Sequence, residues 1–459
     1  MHRYLKLAVA SLLPVALLGG CSDWLTGSGL TTNPNRPVKA GTSQLFVGVT
    51  VTQEVQQTGD LARLFSMWMQ SMAGTDRQAI PLANYVFDED AFSADWSSVY
   101  TGGGLIDIRT IQSQALAAGD TTFAGIAKVM EALTIGTAAD VWGDIPYREA
   151  VGTSLTPILD PQQQVFQDIQ AQLDTAIAWI PCAAATCAGP GPNDLFYGAN
   201  SLTVEKADWV ALAHTLKARY FMHVTPQDPS AYASALAEAQ QGISSPAGDF
   251  KSYQSTNPNE WNLWYQFMVI QRSGYISAGE YLVNLLQTTG DQRLSAYYGT
   301  NASGEYLGAP PAGGNGTWSP LAAARGGGDI GQAFRQPIVT FAENQLIIAE
   351  AELQAGNQGL AIAAYNAERA SQGVGAWPGG AITLNAIITE KYIADFQEIE
   401  VWNDWKRTCL PALVPASSSG IPGRLLYGLS AERDANPNIP PPNEQPARNW
   451  DQPNACPVT

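Results

Sequence analysis

The sequence predicts an all-α protein, with helices packed in pairs and long loop-rich insertions between them. Three observations predict it. Apolar residues recur every three or four positions along several segments, the spacing that lines one face of a helix. Residues 349–370 read as two helices divided by Gly356, with the small residues Ala361 and Ala364 set to face Leu353. Between about 245 and 336 the periodicity dissolves into Gly, Pro and Asn with aromatic rings among them, which is the composition of loops.

Residues 44–72 and 93–118 each repeat their apolar positions at helical spacing. Residues 123–139 (FAGIAKVMEALTIGTAA) predict a helix whose many Ala and Gly positions let neighbours approach closely. After Pro161, the residues Val165, Ile169, Leu173 and Ile177 repeat every four positions. The next helix carries Trp209, Leu212, Ala213, Leu216 and Tyr220, and past Pro229 another carries Tyr232, Ala235, Leu236 and Ala239. In 349–370 the order Ala-Glu-Leu, Gly, Ala-Ile and Tyr is that of the turn inside a tetratricopeptide repeat, where small residues let two helices nest. A strict period of about 34 residues is missing. The expectation is therefore degenerate helix–turn–helix units interrupted by long insertions at 257–275 and 298–336.

Charge excludes one class of partner. With 24 basic residues against 41 acidic ones the net charge is −17, which repels nucleic acid and leaves no basic stripe for anionic lipid. A hydrophobic content of 45% is enough for a sizeable core.

The N-terminus reads as an address. Arg3 and Lys6 precede an apolar run at 7–18 that is too short to span a bilayer, and small residues lead into Cys21. Residues 1–20 thus read as a bacterial secretory signal. Leu18-Gly19-Gly20-Cys21 resembles a lipobox, in which cleavage ahead of Cys21 leaves its thiol carrying a diacylglycerol anchor. Residues 21–40, rich in Thr, Asn, Pro and Gly, read as a flexible tether from lipidated Cys21. Four cysteines remain, an even number suited to disulfides in an exported chain. Of three possible connectivities the simplest joins Cys182 to Cys187 and Cys409 to Cys456. Neither pair has zinc-ligand spacing, and no metal or cofactor is expected.

A series of motifs then resembles one family. WGDIPYREA at 142–150, with Pro157, Asp160 and the helix opening Gln163-Gln164-Val165-Phe166, is similar to the signature of SusD/RagB outer-membrane nutrient-binding lipoproteins. Trp209 with ALAHTLKAR at 211–219 resembles the family's next helix, with His214 where Asn is usual. Asp291 and Arg293 resemble its Asp-Pro-Arg turn, with Gln292 replacing Pro. Residues 337–353 and 400–408 resemble its Glu-rich helix and its Trp-x-x-Trp-Arg-Arg element, with Lys406 in one arginine's place. IPGRLLYGLSAE at 421–432 resembles the closing motif, with Gly428 for Pro. The matches run in order through nearly the whole mature chain.

The resemblance implies one SusD-like domain over 41–459, with tetratricopeptide-like helices and a loop-rich ligand-binding lobe. It implies a surface-exposed lipoprotein of the outer membrane that binds a glycan, or in some members a peptide, and delivers it to a TonB-dependent SusC-like transporter. Members of the family are not known as enzymes. The motifs themselves read as scaffold: Gly143 permits a tight turn, Pro146 fixes φ, and Asp144 accepts local backbone N–H groups. Glu343, Glu350 and Arg407 read as members of buried polar networks.

A glycan site needs exposed rings for apolar C–H faces and polar side chains for hydroxyl edges. Three loop stretches meet that need: Asp76, Arg77 and Gln78 with Tyr85 and Phe87; Trp261, Asn262, Trp264, Tyr265 and Gln266 with Arg272; and Trp318 with Arg325. The expected ligand contacts are Arg77, Tyr85, Trp261, Asn262, Trp264, Tyr265, Arg272 and Trp318, with the 261–272 loop contributing more than the 142–147 turn. No catalytic residue is expected. There is no Gly-x-Ser-x-Gly elbow, no His-Glu-x-x-His and no phosphate-binding glycine loop. Asp88-Glu89-Asp90 could pose as the carboxylate pair of a glycoside hydrolase, but adjacent carboxylates point apart and read as a solvated turn. A secreted hydrolase and a purely structural surface lipoprotein remain the competing classes.

Overall fold

The computed structural model describes residues 40–428 and 430–457, so the expected signal, Cys21 and nearly all of the tether lie outside the described residues. Helices α1 (Thr42–Thr58) and α2 (Asp60–Trp68) open it. Helix α3 (Leu105–Ala117) pairs with α4 (Thr121–Trp142), which also packs against α5 (Gln162–Trp179). Helix α6 (Leu202–Val224) turns back through α7 (Ala231–Ala239). After α8 (Glu280–Thr289), α9 (Phe341–Gln354) and α10 (Gln358–Ser371) form the pair expected around Gly356. Helix α11 (Leu384–Ala394) packs on α9, and α12 (Glu400–Thr408) follows. The protein is therefore all-α with tetratricopeptide-like pairs, as its periodicity leads one to expect.

Local chemistry sets the helix starts. Asp120 accepts the Phe123 N–H at 2.9 Å to open α4, and Thr340 accepts the Glu343 N–H at 3.0 Å to open α9. Helix α4 is buried along almost its whole length, and at Gly136 the Tyr220 ring of α6 lies where any Cβ would stand. The 142–147 turn is scaffold. Trp142 is buried edge-on against Trp96, with ring centroids 5.2 Å apart. Asp144 accepts the Gln162 N–H at 2.8 Å, and Asp160 accepts those of Tyr147 and Arg148 at 3.1 and 2.8 Å.

Short strands β1 (Met72–Gly74), β2 (Phe250–Lys251), β3 (Ile276–Ala278) and β4 (Pro337–Val339) tie the loop-rich lobe to the helices. β1 pairs antiparallel with β3, and β2 with β4. Disulfides join Cys182 to Cys187 and Cys409 to Cys456.

The helices are held in register by buried charge. Arg219 of α6 grips Glu343 of α9 through two bonds of 2.6 and 2.5 Å. His223, one turn on, sits between Asp140 of α4 and Glu400 of α12, 2.8 Å from each. Lys391 of α11 reaches Asp404 at 2.8 Å, and Arg407 joins Asp404 to Glu350 at 2.6 and 2.5 Å. Lys406 bonds Asp451 at 2.9 Å, bringing the C-terminal segment into the same system. Burial alone would lower the pKa of His223, yet the carboxylates of Asp140 and Glu400 push it up to about 10. Glu398, also buried, is raised to about 8 by desolvation and then by the charge of Glu343.

Two kinds of outcome are expected, one from substitution and one from pH. Glu343→Leu leaves the Arg219 guanidinium buried without a counter-charge, so chemical denaturation is expected to show a loss of ~3–5 kcal/mol. Arg148→Ala, which breaks a pair with Asp168 on a half-exposed arginine, is expected to change stability by less than about 1 kcal/mol. The second outcome concerns pH. Both His223 and Glu398 hold their protons more tightly folded than unfolded, so their stabilisation is complete at low pH and disappears as pH rises through about 8 for Glu398 and about 10 for His223. The urea midpoint is expected to fall steadily from about pH 6 to about pH 10, and the slope to flatten in His223→Gln. A midpoint that rises over that range contradicts this protonation scheme.

Candidate functional site

Ile276 and Ser277 of β3, with Thr75 just past β1, line a groove of about 590 Å³ on the lobe. Thr75 continues the ladder: its N–H donates to the Tyr275 carbonyl and its hydroxyl to that of Gly274, each at 2.8 Å. A second loop lies across the strand. Gly313, at φ 73°, comes so near the Gly74 carbonyl that no side chain could replace its hydrogen, and this close approach carries the chain toward Trp318. The Trp318 indole N–H then donates to Gly314 O at 2.9 Å, which fixes the ring in the groove wall. Asn301 braces the same loop by donating to Thr317 O at 3.0 Å. Asp76, Ser273, Thr300 and Asn315 stand around the groove with side chains that reach solvent.

Arg77 and Arg272 stand beside this groove. Their guanidinium carbons lie 5.5 and 5.7 Å from the centre of the Tyr275 ring, so residues from two distant loops share one aromatic support. Arg77 is strongly exposed and pairs loosely with Asp76 at 3.7 Å. Of the expected residues Trp318 alone lines the groove, while Arg77 and Arg272 meet at Tyr275, each next in sequence to a lining residue, Asp76 and Ser273.

The other expected contacts are placed elsewhere. Asn262 is wholly buried: its side-chain oxygen caps a short helix by accepting from Trp264 and Tyr265, and its amide donates to Phe334 O at 2.9 Å. Trp264 is 0% exposed and Tyr265 4%, so neither has a face to offer a ligand, and the expectation for these three residues is corrected. Trp261 is half-buried, packs 5.3 Å from Tyr265 and donates to Thr256 O, which pins its own loop. Tyr85 lies edge-on to Trp68 at 5.9 Å and its hydroxyl accepts the Ala416 N–H at 2.9 Å. Burial raises its pKa, consistent with a packed phenol. Arg325 turns inward over the ring of Tyr297, 4.4 Å from its centre.

Tyr275 is the residue that sequence reasoning passed over. Its signal was the run Arg272-Ser273-Gly274 just before it, and the signal for the Trp318 loop was Gly313-Gly314-Asn315-Gly316, which announces a close backbone approach. Asp88-Glu89-Asp90 is occupied with the chain's own C-terminal part: Glu89 pairs with Arg433, and Asp90 accepts the Ser430 N–H at 3.0 Å. Among the described residues no helix is long and apolar enough to cross a membrane.

Comparison with known proteins agrees with this architecture. A SusD/RagB family protein from Bacteroides thetaiotaomicron superposes with a TM-score of 0.73 at 19% identity, covering 91% of this chain and 98% of its own. A chitin-binding SusD homologue from Flavobacterium johnsoniae gives 0.73 at 19%, covering 90% and 99%. A further chitin-binding protein gives 0.73 at 21%, covering 90% and 100%. No curated protein sequence matches the chain. A SusD-like family model, described as starch-binding and associating with the outer membrane, matches residues 34–428, and the chain belongs to that family.

Proposed function

We propose that this chain binds a glycan nutrient in the groove between β3 and the Trp318 loop, and passes it uncleaved to a TonB-dependent SusC-like transporter. The observation that carries the reading is the groove's chemistry: one fixed indole, with hydroxyls, an amide and a carboxylate around it and guanidinium groups beside it. Two chitin-binding neighbours of the same fold support a glycan over a peptide and make chitin oligosaccharides the first probe. The chain acts as a single SusD-like body held at the cell surface of the outer membrane by a lipid on Cys21, through residues 21–40.

Calorimetry against chitin, starch and peptide panels tests the binding. The expected affinity is micromolar to millimolar, because a stacked ring supplies only ~1 kcal/mol beyond the area it buries. Trp318→Ala is expected to weaken binding about five- to tenfold with an unchanged melting midpoint. Trp264→Ala, by contrast, is expected to lose ~3–5 kcal/mol of stability, because it empties a buried site. Affinity confined to peptides would move the ligand class, and release of shortened glycan would make the chain a hydrolase. For the anchor, Cys21→Ala is expected to abolish the lipid mass on the N-terminal peptide and the outer-membrane pool. A wild-type protein found free in the periplasm would end that part of the proposal.

A further inference from the structure

A second depression, of about 390 Å³, shares no residue with the groove. It lies between α10, α11, the C-terminal end of α8 and the loop that carries Trp377. Trp377 is half-buried and set in place three ways. Its ring packs against Tyr365 with centroids 5.7 Å apart, its backbone N–H donates to Asn366 Oδ1 at 2.7 Å, and its indole N–H donates to Gly380 O at 3.1 Å. A ring held this firmly gives up little freedom when something stacks on it.

Around this wall stand neutral polar groups. Gln292 and Asn385 are exposed and line the cleft, and their amides have no hydrogen-bond partner among the described residues; Thr389 adds a hydroxyl. The charges in the floor cancel one another. Glu390 takes Arg293 at 2.6 Å and also pairs with Arg369, its other contact being the Tyr365 hydroxyl at 3.2 Å, while Asp291 takes Arg293 at 2.7 Å. Glu368, buried beside Glu390, is pushed up to about 9 by desolvation and by that neighbour's charge, so it carries no charge at neutral pH. Two guanidinium groups and two carboxylates close on each other, and no ionic group is left to recognise a charged ligand.

We propose that this cleft is a second carbohydrate site, which takes a neutral sugar ring on Trp377 with its hydroxyls on Asn385, Gln292 and Thr389. Its volume suits a mono- or disaccharide. The site is independent of the groove, so each can be lost without the other.

The test uses the mature chain with groove binding weakened by Trp318→Ala, titrated with chitobiose, cellobiose and maltose by calorimetry and saturation-transfer NMR. At least one disaccharide is expected to bind still. Adding Trp377→Ala or Asn385→Ala is expected to weaken that residual binding at least about fivefold, the loss of one stacked ring or its rim contacts. Asn385 is exposed and unpartnered, so its variant is expected to keep the parent melting midpoint even if Trp377→Ala does not fold. No residual binding of any of the three, or residual binding that neither substitution changes, overturns the second site. Neither result bears on the groove, which Trp318→Ala tests against the wild-type chain.

Discussion

The Arg219–Glu343 pair is the contact on which the rest of the architecture depends. It joins α6 to α9, helices whose residues stand 124 apart in sequence, and both side chains are almost completely buried. A guanidinium removed from water needs acceptors beyond its counter-charge, and the Ile338 carbonyl supplies one at 2.8 Å. Because Ile338 belongs to β4, the same arginine also fixes where the lobe's second strand pair begins. From Arg219 the charges continue through Glu400 to His223, Asp140, Lys391 and Asp404. Apolar packing alone would let helices slide by a turn at small loss. Buried ion pairs do not, since a slip strands several charges at once.

That rigidity explains why the lobe can afford to be loops. Few of its segments have regular structure, yet the backbone groups are met: Ser319 O accepts from Ala278, Ala278 O accepts from Ala309, and Ser319 Oγ accepts from Leu307. A loop tied at this many points to a fixed scaffold can present an indole and a set of polar groups in one geometry. Weak ligands are best served by such preorganisation, because little ordering remains to be done when they bind.

Residue pattern revealed the scaffold well and the site poorly, for a physical reason. A helix writes its buried face as a repeat of three or four residues, so the pair around Gly356 could be read directly. Glu343 and Glu350, set among the apolar positions of α9, announced their own network, to which Arg407 of α12 belongs. Loops write no such repeat. In Trp261-Asn262-Leu263-Trp264-Tyr265 the mixture of rings and an amide is what a sugar site uses, but it is also what a buried helix cap uses, and here Asn262 caps the helix while Trp264 fills the core. Composition cannot separate the two; exposure does. Arg77 and Arg272 share the Tyr275 ring because β1 and β3 pair, a fact of topology that no local window contains.

The groove and the cleft lie along one stretch of chain. Ser273, Gly274, Ile276 and Ser277 line the groove, β3 leads into α8, and Leu285 and 289–292 line the cleft. Ten helical residues span about 15 Å, so the two sites are held at a fixed spacing by an element that cannot stretch. Two weak sites at fixed spacing favour ligands long enough to reach both, since the second contact is made at high local concentration. A short sugar gains nothing from this arrangement. At the cleft, where the charges of the floor cancel, selectivity would rest on ring stacking and chain length and not on electrostatic attraction.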